Sequence, residues 1–193
     1  YNALKYASDN GVFIVAAIGN DGDLENRYPN VGNTSKYTST PADFSSVIPG
    51  MMSVVAMNNM GDKSDYSQYG ELASIAAPGG EMDFANDPRG ILSTVTRNSS
   101  KSIDRSNGNG YGYAQGTSMA APMVSGGLAL VMQEFSSLTP AQVVTRLLST
   151  ANDTSEYSQT AKYGHGLMNL NGATAAVGSL QTINGSNLLD DPN

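Results

Sequence analysis

From Val12 to Ala17 the chain is apolar without interruption and rich in β-branched residues. That is the pattern of a strand buried on both faces in a parallel sheet, not the alternation of a half-exposed one. Before it, Tyr1, Leu4 and Ala7, with Ala3 beside them, share one helical face, and Gly11 after Asp9 and Asn10 is a natural helix end. The first residue therefore stands inside a helix, with the expectation that a segment upstream has been removed. The strand gives way to the turn-forming Gly19-Asn20-Asp21-Gly22. Asp21 to Ser46 is polar, with Pro29 and Pro41, and reads as surface loop. Val54 to Met57 and Ala73 to Ala77 read as two further strands separated by a turn at Asn58 to Asp62. Ile91 to Thr96 is a third, and Arg97 to Gly112 a loop rich in Ser, Asn and Gly.

The longest apolar stretch runs from Gly116 to Met132 and has helical composition. Met119, Ala120 and Ala121 are good helix formers, and Pro122 is expected within a first turn. A second helix opens at Thr139 as N-cap with Pro140 at its first position, and Val143, Val144, Leu147 and Leu148 form its apolar face. From about Gly178 periodicity is lost. The pattern is thus an α/β domain over residues 1–178 with a tail or linker at 179–193.

Chemistry concentrates where strands end and helices begin. In open α/β sheets ligands gather beyond the carboxyl ends of strands, which puts Asn20 where a site is expected. Ser118 stands at the mouth of the apolar helix, in the positive end of its dipole. A single Ser before a helix is ordinarily a cap, and an Asn in a turn ordinarily a turn residue.

Composition narrows the classes. With 193 residues the chain can form one domain burying roughly 70% of its unfolded surface. The formal charge of -7 argues against nucleic-acid and anionic-membrane partners, which would be repelled. Charged residues make up 14%, below the roughly 25% of an average domain, which suits a secreted protein. There is no cysteine, so disulfides, thiolate metal sites and thiol nucleophiles are excluded. The Met119 to Met132 run is shorter than a membrane span needs and is broken by Pro122 and two glycines.

The heptapeptide GTSMAAP closely resembles the nucleophile segment of the subtilisin-like serine proteases. FIVAAIGNDG resembles the family's strand and turn that carry an oxyanion-hole asparagine. TPADFSSVIPGMMSVVA resembles the stretch closing the bottom of the specificity pocket, and SIAAPGG the following strand and turn. KYGHGLMNLNGATAAVG resembles the segment that ends the domain, in wording most similar to the passengers of bacterial autotransporters. The resemblance implies a three-layer α/β subtilisin-like fold with a parallel sheet, represented by its carboxyl half. It implies a serine endopeptidase, secreted or on a bacterial cell surface, that acts on polypeptide substrates. Ser118 would be the nucleophile and Asn20 an oxyanion donor, and Ala16, Ala17 and Gly19 would line the specificity pocket. Ile18 is bulkier than the family's usual small residue there.

The family orders its triad Asp, His, Ser, and neither an Asp-Ser-Gly or Asp-Thr-Gly segment nor a His-Gly-Thr occurs here. The sole histidine, His165, lies in a glycine-rich turn after Ser118. A serine without an imidazole to take its proton is a poor nucleophile. The chain alone is therefore expected to be inactive and to need the missing amino-terminal half as partner. Two other readings stand beside this. The chain is a non-catalytic folded fragment or partner-binding half, or Ser118, Asp153 and His165 form a triad in the chain order of α/β-hydrolases. No cofactor is expected. Asp21, Asp23, Glu25 and Asn26 place oxygen ligands suited to calcium in one loop, but without EF-hand spacing. Such a loop is ordinarily just solvated.

Overall fold

The computed structural model describes residues 1–22, 39–96, 110–153 and 160–175. Helix α1 (Asn2–Asp9) leads into strand β1 (Ile14–Ala17), and a short 3-10 helix (Ala42–Ser46) precedes β2 (Met51–Met57) and β3 (Ile75–Pro78). Next come β4 (Ile91–Thr94) and β5 (Tyr111–Ala114), then α2 (Thr117–Glu134), α3 (Pro140–Ser149), α4 (Thr160–Tyr163) and α5 (Leu170–Thr174). The first three strands form a parallel sheet in the order β1-β2-β3, with Ile14 opposite Met51 and Val54 opposite Ile75.

Strand β2 is central and buried along its whole length. Its alternate residues feed two cores. Met52, Val54 and Ala56 join Ile75, Ala77 and the α2 residues Ala120, Val124, Leu128 and Val131, while Val55 and Met57 pack with Ile18, Ala76 and Tyr163 on the other side. A third cluster, Ala16, Ala42, Ile48 and Met51, extends that other side beneath the 3-10 helix. The chain is thus layered as helix, sheet and mixed cover. Each of Val124, Leu128 and Val131 is at most 2% exposed and adds about 1.5–3 kcal/mol on burial.

Several elements differ from the sequence reading. Strand β1 is half-buried apart from Ala16, and Val12 is 54% exposed, because among the described residues β1 pairs only with β2 and lies at the sheet edge. Strand β2 starts at Met51, ahead of Val54. Ser53 interrupts the apolar pattern, yet it is buried because its hydroxyl donates to the Leu72 carbonyl and its N–H to Ser74 Oγ. Among the described residues Ile91–Thr94 joins no parallel sheet. It pairs antiparallel with Tyr111–Ala114 as a separate ribbon whose connection, 97–109, lies outside the described residues. Pro122 sits in the second turn of α2, not the first. It is exposed, and its missing N–H leaves the Ser118 carbonyl without the bond a helix would place there.

Helix α3 forms as the sequence implies. The Thr139 N–H donates to Gln142 Oε1 at 2.8 Å and the Gln142 N–H donates to Thr139 Oγ1 at 3.4 Å, a reciprocal capping box. Val143 and Leu147 are buried, and so is Arg146, which apolar patterning did not anticipate. Its guanidinium lies 3.8 Å from the Phe135 ring centroid, and its Nε donates to the Ala173 carbonyl at 2.6 Å, which ties α3 to α5. The tail at 179–193 lies outside the described residues.

The turn after β1 is closed by packing that only glycine permits. Gly19 has φ +124, and a Cβ there would lie 1.8 Å from Gln68 Oε1 and 2.6 Å from Ser39 Oγ. Gly19→Ala is expected to destabilise the protein by about 1–3 kcal/mol through the backbone alone, with the collision adding to that. Gly50→Ala is the control, since Gly50 also has a positive φ but nothing within 4 Å of the added Cβ. Denaturant unfolding of the two variants should rank Gly19→Ala as clearly the more damaging.

A second expectation follows from the two uncovered surfaces. The outer edge of β1 is unpaired among the described residues, and Met123, Leu130 and Met132 on α2 are 37%, 46% and 45% exposed. Produced by itself, the 193-residue chain should self-associate at micromolar concentration. Light scattering checks this, and a monodisperse, cooperatively unfolding monomer would contradict it.

Candidate active site

Parallel strands deliver their carboxyl ends to one side of the sheet, so the turns after β1 and β3 meet there. The start of α2 joins them, since the Gly116 N–H donates to the Gly79 carbonyl at 3.1 Å, just beyond β3. Gly116 has φ +145, a conformation open to glycine, and caps α2 with no side-chain bond. The two candidate residues, 98 positions apart in sequence, are thereby brought to one place.

Their connection is specific. The Thr117 N–H and the Thr117 hydroxyl both donate to Asn20 Oδ1, each at 2.9 Å. A backbone N–H can only donate, so it fixes which end of the Asn20 amide is oxygen. The NH2 end lies near the helix start, since a Cβ placed on Gly116 would lie 3.7 Å from Asn20 Nδ2. Thr117 is fully buried, whereas Asn20 and Ser118 are exposed. The Ser118 N–H lies in the first turn of α2, among the donors a helix cannot satisfy internally, and has no acceptor among the described residues. Asn20, bonded to Thr117, and Ser118 are thus two exposed residues at the positive end of an 18-residue helix.

The pocket candidates separate. Ala17 and Gly19 flank the turn that carries Asn20 and are half-buried. The Gly19 carbonyl accepts the Gln68 N–H at 3.0 Å. Ala16 is only 6% exposed and packs against Ala42, Ile48 and Met51, so it offers little surface to a pocket. Ile18, the bulky residue, is fully buried among Val55, Met57 and Tyr163 and does not intrude.

One residue near the site was not singled out by its sequence. The Tyr66 hydroxyl accepts the Gly116 N–H at 3.0 Å and donates toward the carbonyls of Gly79 at 3.0 Å and Gly80 at 2.6 Å. Burial pushes its phenol above the usual value of 10.0, which keeps it a neutral donor at working pH. The sign is that of an acid held neutral. Its contribution to stability is fully present below pH 10 and is lost as the pH rises toward its folded value.

The Ser118, Asp153, His165 triad is excluded by position. The His165 N–H donates to the Ser74 carbonyl at 3.0 Å and its Nδ1 lies 3.0 Å from the same oxygen, which pins the glycine-rich turn to the amino end of β3. Asp153 lies beside it, close to Gly166. Ser118 is tethered at the other end of β3, and at about 3.3 Å per residue the two ends lie roughly 16 Å apart. Of the calcium candidates, Asp21 is exposed, and Asp23, Glu25 and Asn26 lie outside the described residues. Among the described residues no cluster of three or more His, Asp or Glu is placed to hold a metal ion.

Comparison with known proteins bears on the family and the fold. The chain is 33% identical over 172 residues to alkaline elastase YaB of Bacillus sp., covering 89% of this chain and 35% of that protein. It is 30% identical to fervidolysin of Fervidobacterium pennivorans, covering 89% and 22%. Among solved structures, a protease of Pseudoalteromonas arctica superposes with a TM-score of 0.69 at 32% identity, over 90% of this chain and 45% of that one. Fervidolysin, described as a keratinolytic enzyme related to subtilisin, superposes with a TM-score of 0.65 at 31% identity, over 89% and 24%. The chain thus spans less than half the length of each. The subtilase family model matches residues 1–166, and with a parallel sheet whose carboxyl ends carry Asn20 and the GTSMAAP helix start, the chain belongs to the subtilase family of serine proteases.

Proposed function

We propose that this chain supplies the nucleophile and the oxyanion site of a secreted or cell-surface serine endopeptidase. The observation that carries the reading is the double hydrogen bond from Thr117 to Asn20 Oδ1, which holds the Asn20 amide beside the helix start bearing Ser118. In the proposed reaction Ser118 Oγ bonds to the carbonyl carbon of a peptide while a general base takes its proton. The carbonyl oxygen becomes an anion held by the Ser118 N–H and Asn20 Nδ2. Collapse breaks the C–N bond, the amine leaves with the proton, and water hydrolyses the acyl ester on Ser118. Ala17 and Gly19 would wall the pocket for the residue before the scissile bond.

The base is not within this sequence. Its one histidine lies at the far end of β3, so the imidazole and its orienting carboxylate come from the amino-terminal part of the same catalytic domain. These 193 residues then bind that part through the β1 edge and the exposed α2 face and are silent alone. A surface setting fits the sparse charge and the autotransporter-like wording of residues 162–178. No helix among the described residues is long and apolar enough to cross a membrane.

Two measurements test this. The isolated chain should not cleave casein, and His165→Ala should leave that unchanged; turnover abolished by His165→Ala would refute the assignment. In the full-length protease, Asn20→Ala should lower kcat by roughly 10²–10³ with little change in KM, because its amide serves a charge present only in the transition state. That magnitude is the one measured for an oxyanion donor of a subtilisin and is borrowed from the family. A raised KM with unchanged kcat would instead make Asn20 a substrate contact.

A further inference from the structure

The two oxyanion donors sit on separate turns with no covalent link between them, yet such a site works only when its donors are held to within about 0.5 Å. Thr117 joins them directly. One other residue reaches both turns. The Tyr66 carbonyl accepts the Gly22 N–H at 2.8 Å, two residues after Asn20, and the Tyr66 hydroxyl accepts the Gly116 N–H at 3.0 Å, two residues before Ser118. The same hydroxyl donates into the Gly79-Gly80 turn that follows β3. Segment 66–68 thereby brackets Asn20, since the Gln68 N–H holds the Gly19 carbonyl on the other side.

We propose that Tyr66 is a positioning residue of the acyl-transfer site, its hydroxyl setting the Ser118 N–H in register with the Asn20 amide. This rests on the function proposed above. The ring belongs to the main apolar core and is 9% exposed, a place that a phenylalanine would fill equally well. A buried hydroxyl costs free energy unless it is hydrogen-bonded, and this one bonds to the helix start at Gly116 and to the Gly79-Gly80 turn, while the backbone carbonyl of the same residue holds the Asn20 turn at Gly22. Without it, Gly116 keeps only the Gly79 carbonyl, and the helix start has one fewer anchor.

Tyr66→Phe in the full-length protease tests the proposal, since it removes one oxygen and keeps the ring. The expected result is a fall in kcat of about tenfold, the size of one hydrogen bond, with KM unchanged. In an Asn20→Ala background the same substitution should cost less than threefold, because the register it sets has lost one member. An undiminished loss in that background, a raised KM, or an unchanged kcat overturns the proposal. Amide hydrogen exchange supplies a readout free of turnover. Gly116 should exchange about tenfold faster in Tyr66→Phe while Ile75 and Ala77 in β3 keep their protection. Unchanged Gly116 exchange overturns the positioning role by itself. A wild-type protease without turnover refutes the acyl-transfer reading, and the exchange measurement still decides whether the hydroxyl holds the turn.

Discussion

One amide oxygen, Asn20 Oδ1, receives both donors of Thr117, and the proposed chemistry depends on that junction. It spans 97 residues of sequence and joins the turn after β1 to the start of α2. Both partners must already be in place for it to form. The parallel sheet places them by sending the ends of β1 and β3 to the same side, and burial of α2 on β2 and β3 sets the height at which the helix begins. Once formed, the junction fixes the amide's orientation, because an N–H cannot accept. The free NH2 is then a consequence of bonding geometry and needs no contact of its own.

The rest of the fold can be read as support for that corner. Tyr66 and Gln68 grip the turns from the side, Gly19 lets the Gln68 side chain come close, and the capping box starts α3 so that Val143 and Leu147 back the helix that carries Ser118. Arg146 then locks α5 against α3 by donating to the carbonyls of Ala173 and Ala175. Farther along, the loop between β3 and β4 is pinned by Asp87, whose carboxylate is held well below the usual range by hydrogen bonds from Arg89. That loop reaches the site through the Met82 N–H, which donates to Gln115, the residue just before Gly116.

His165 shows how position overrides composition. It is the only imidazole in the sequence and follows Ser118 and Asp153 in an order known for hydrolytic triads. The fold nevertheless spends it on the Ser74 carbonyl, at the end of β3 away from the serine. Chain order carries no distance, and only the sheet, with one end of β3 at each residue, separates them.

What the sequence determined by itself was local or compact. The Thr139-Pro140 start, the helix after Gly116 and the glycine-terminated first helix each depend on a few neighbouring residues, whose capping and turn preferences act over a single turn of chain; Ser118 and Asn20 were singled out by the resemblance of their segments to a family, since local preference alone makes them a cap and a turn residue. Periodicity likewise marked Val143 and Leu147 as core. Ser53, Tyr66 and Arg146 were not legible, because a polar side chain becomes a core residue only when distant groups satisfy it, here the Leu72, Gly116 and Ala173 backbones. Nor could it be read that Ile91–Thr94 turns back on Tyr111–Ala114, or that the Asn20 amide oxygen takes both donors of Thr117. Those outcomes belong to the tertiary structure, since strand order and hydrogen-bond direction are set by which elements meet in space, and local preference carries no record of that.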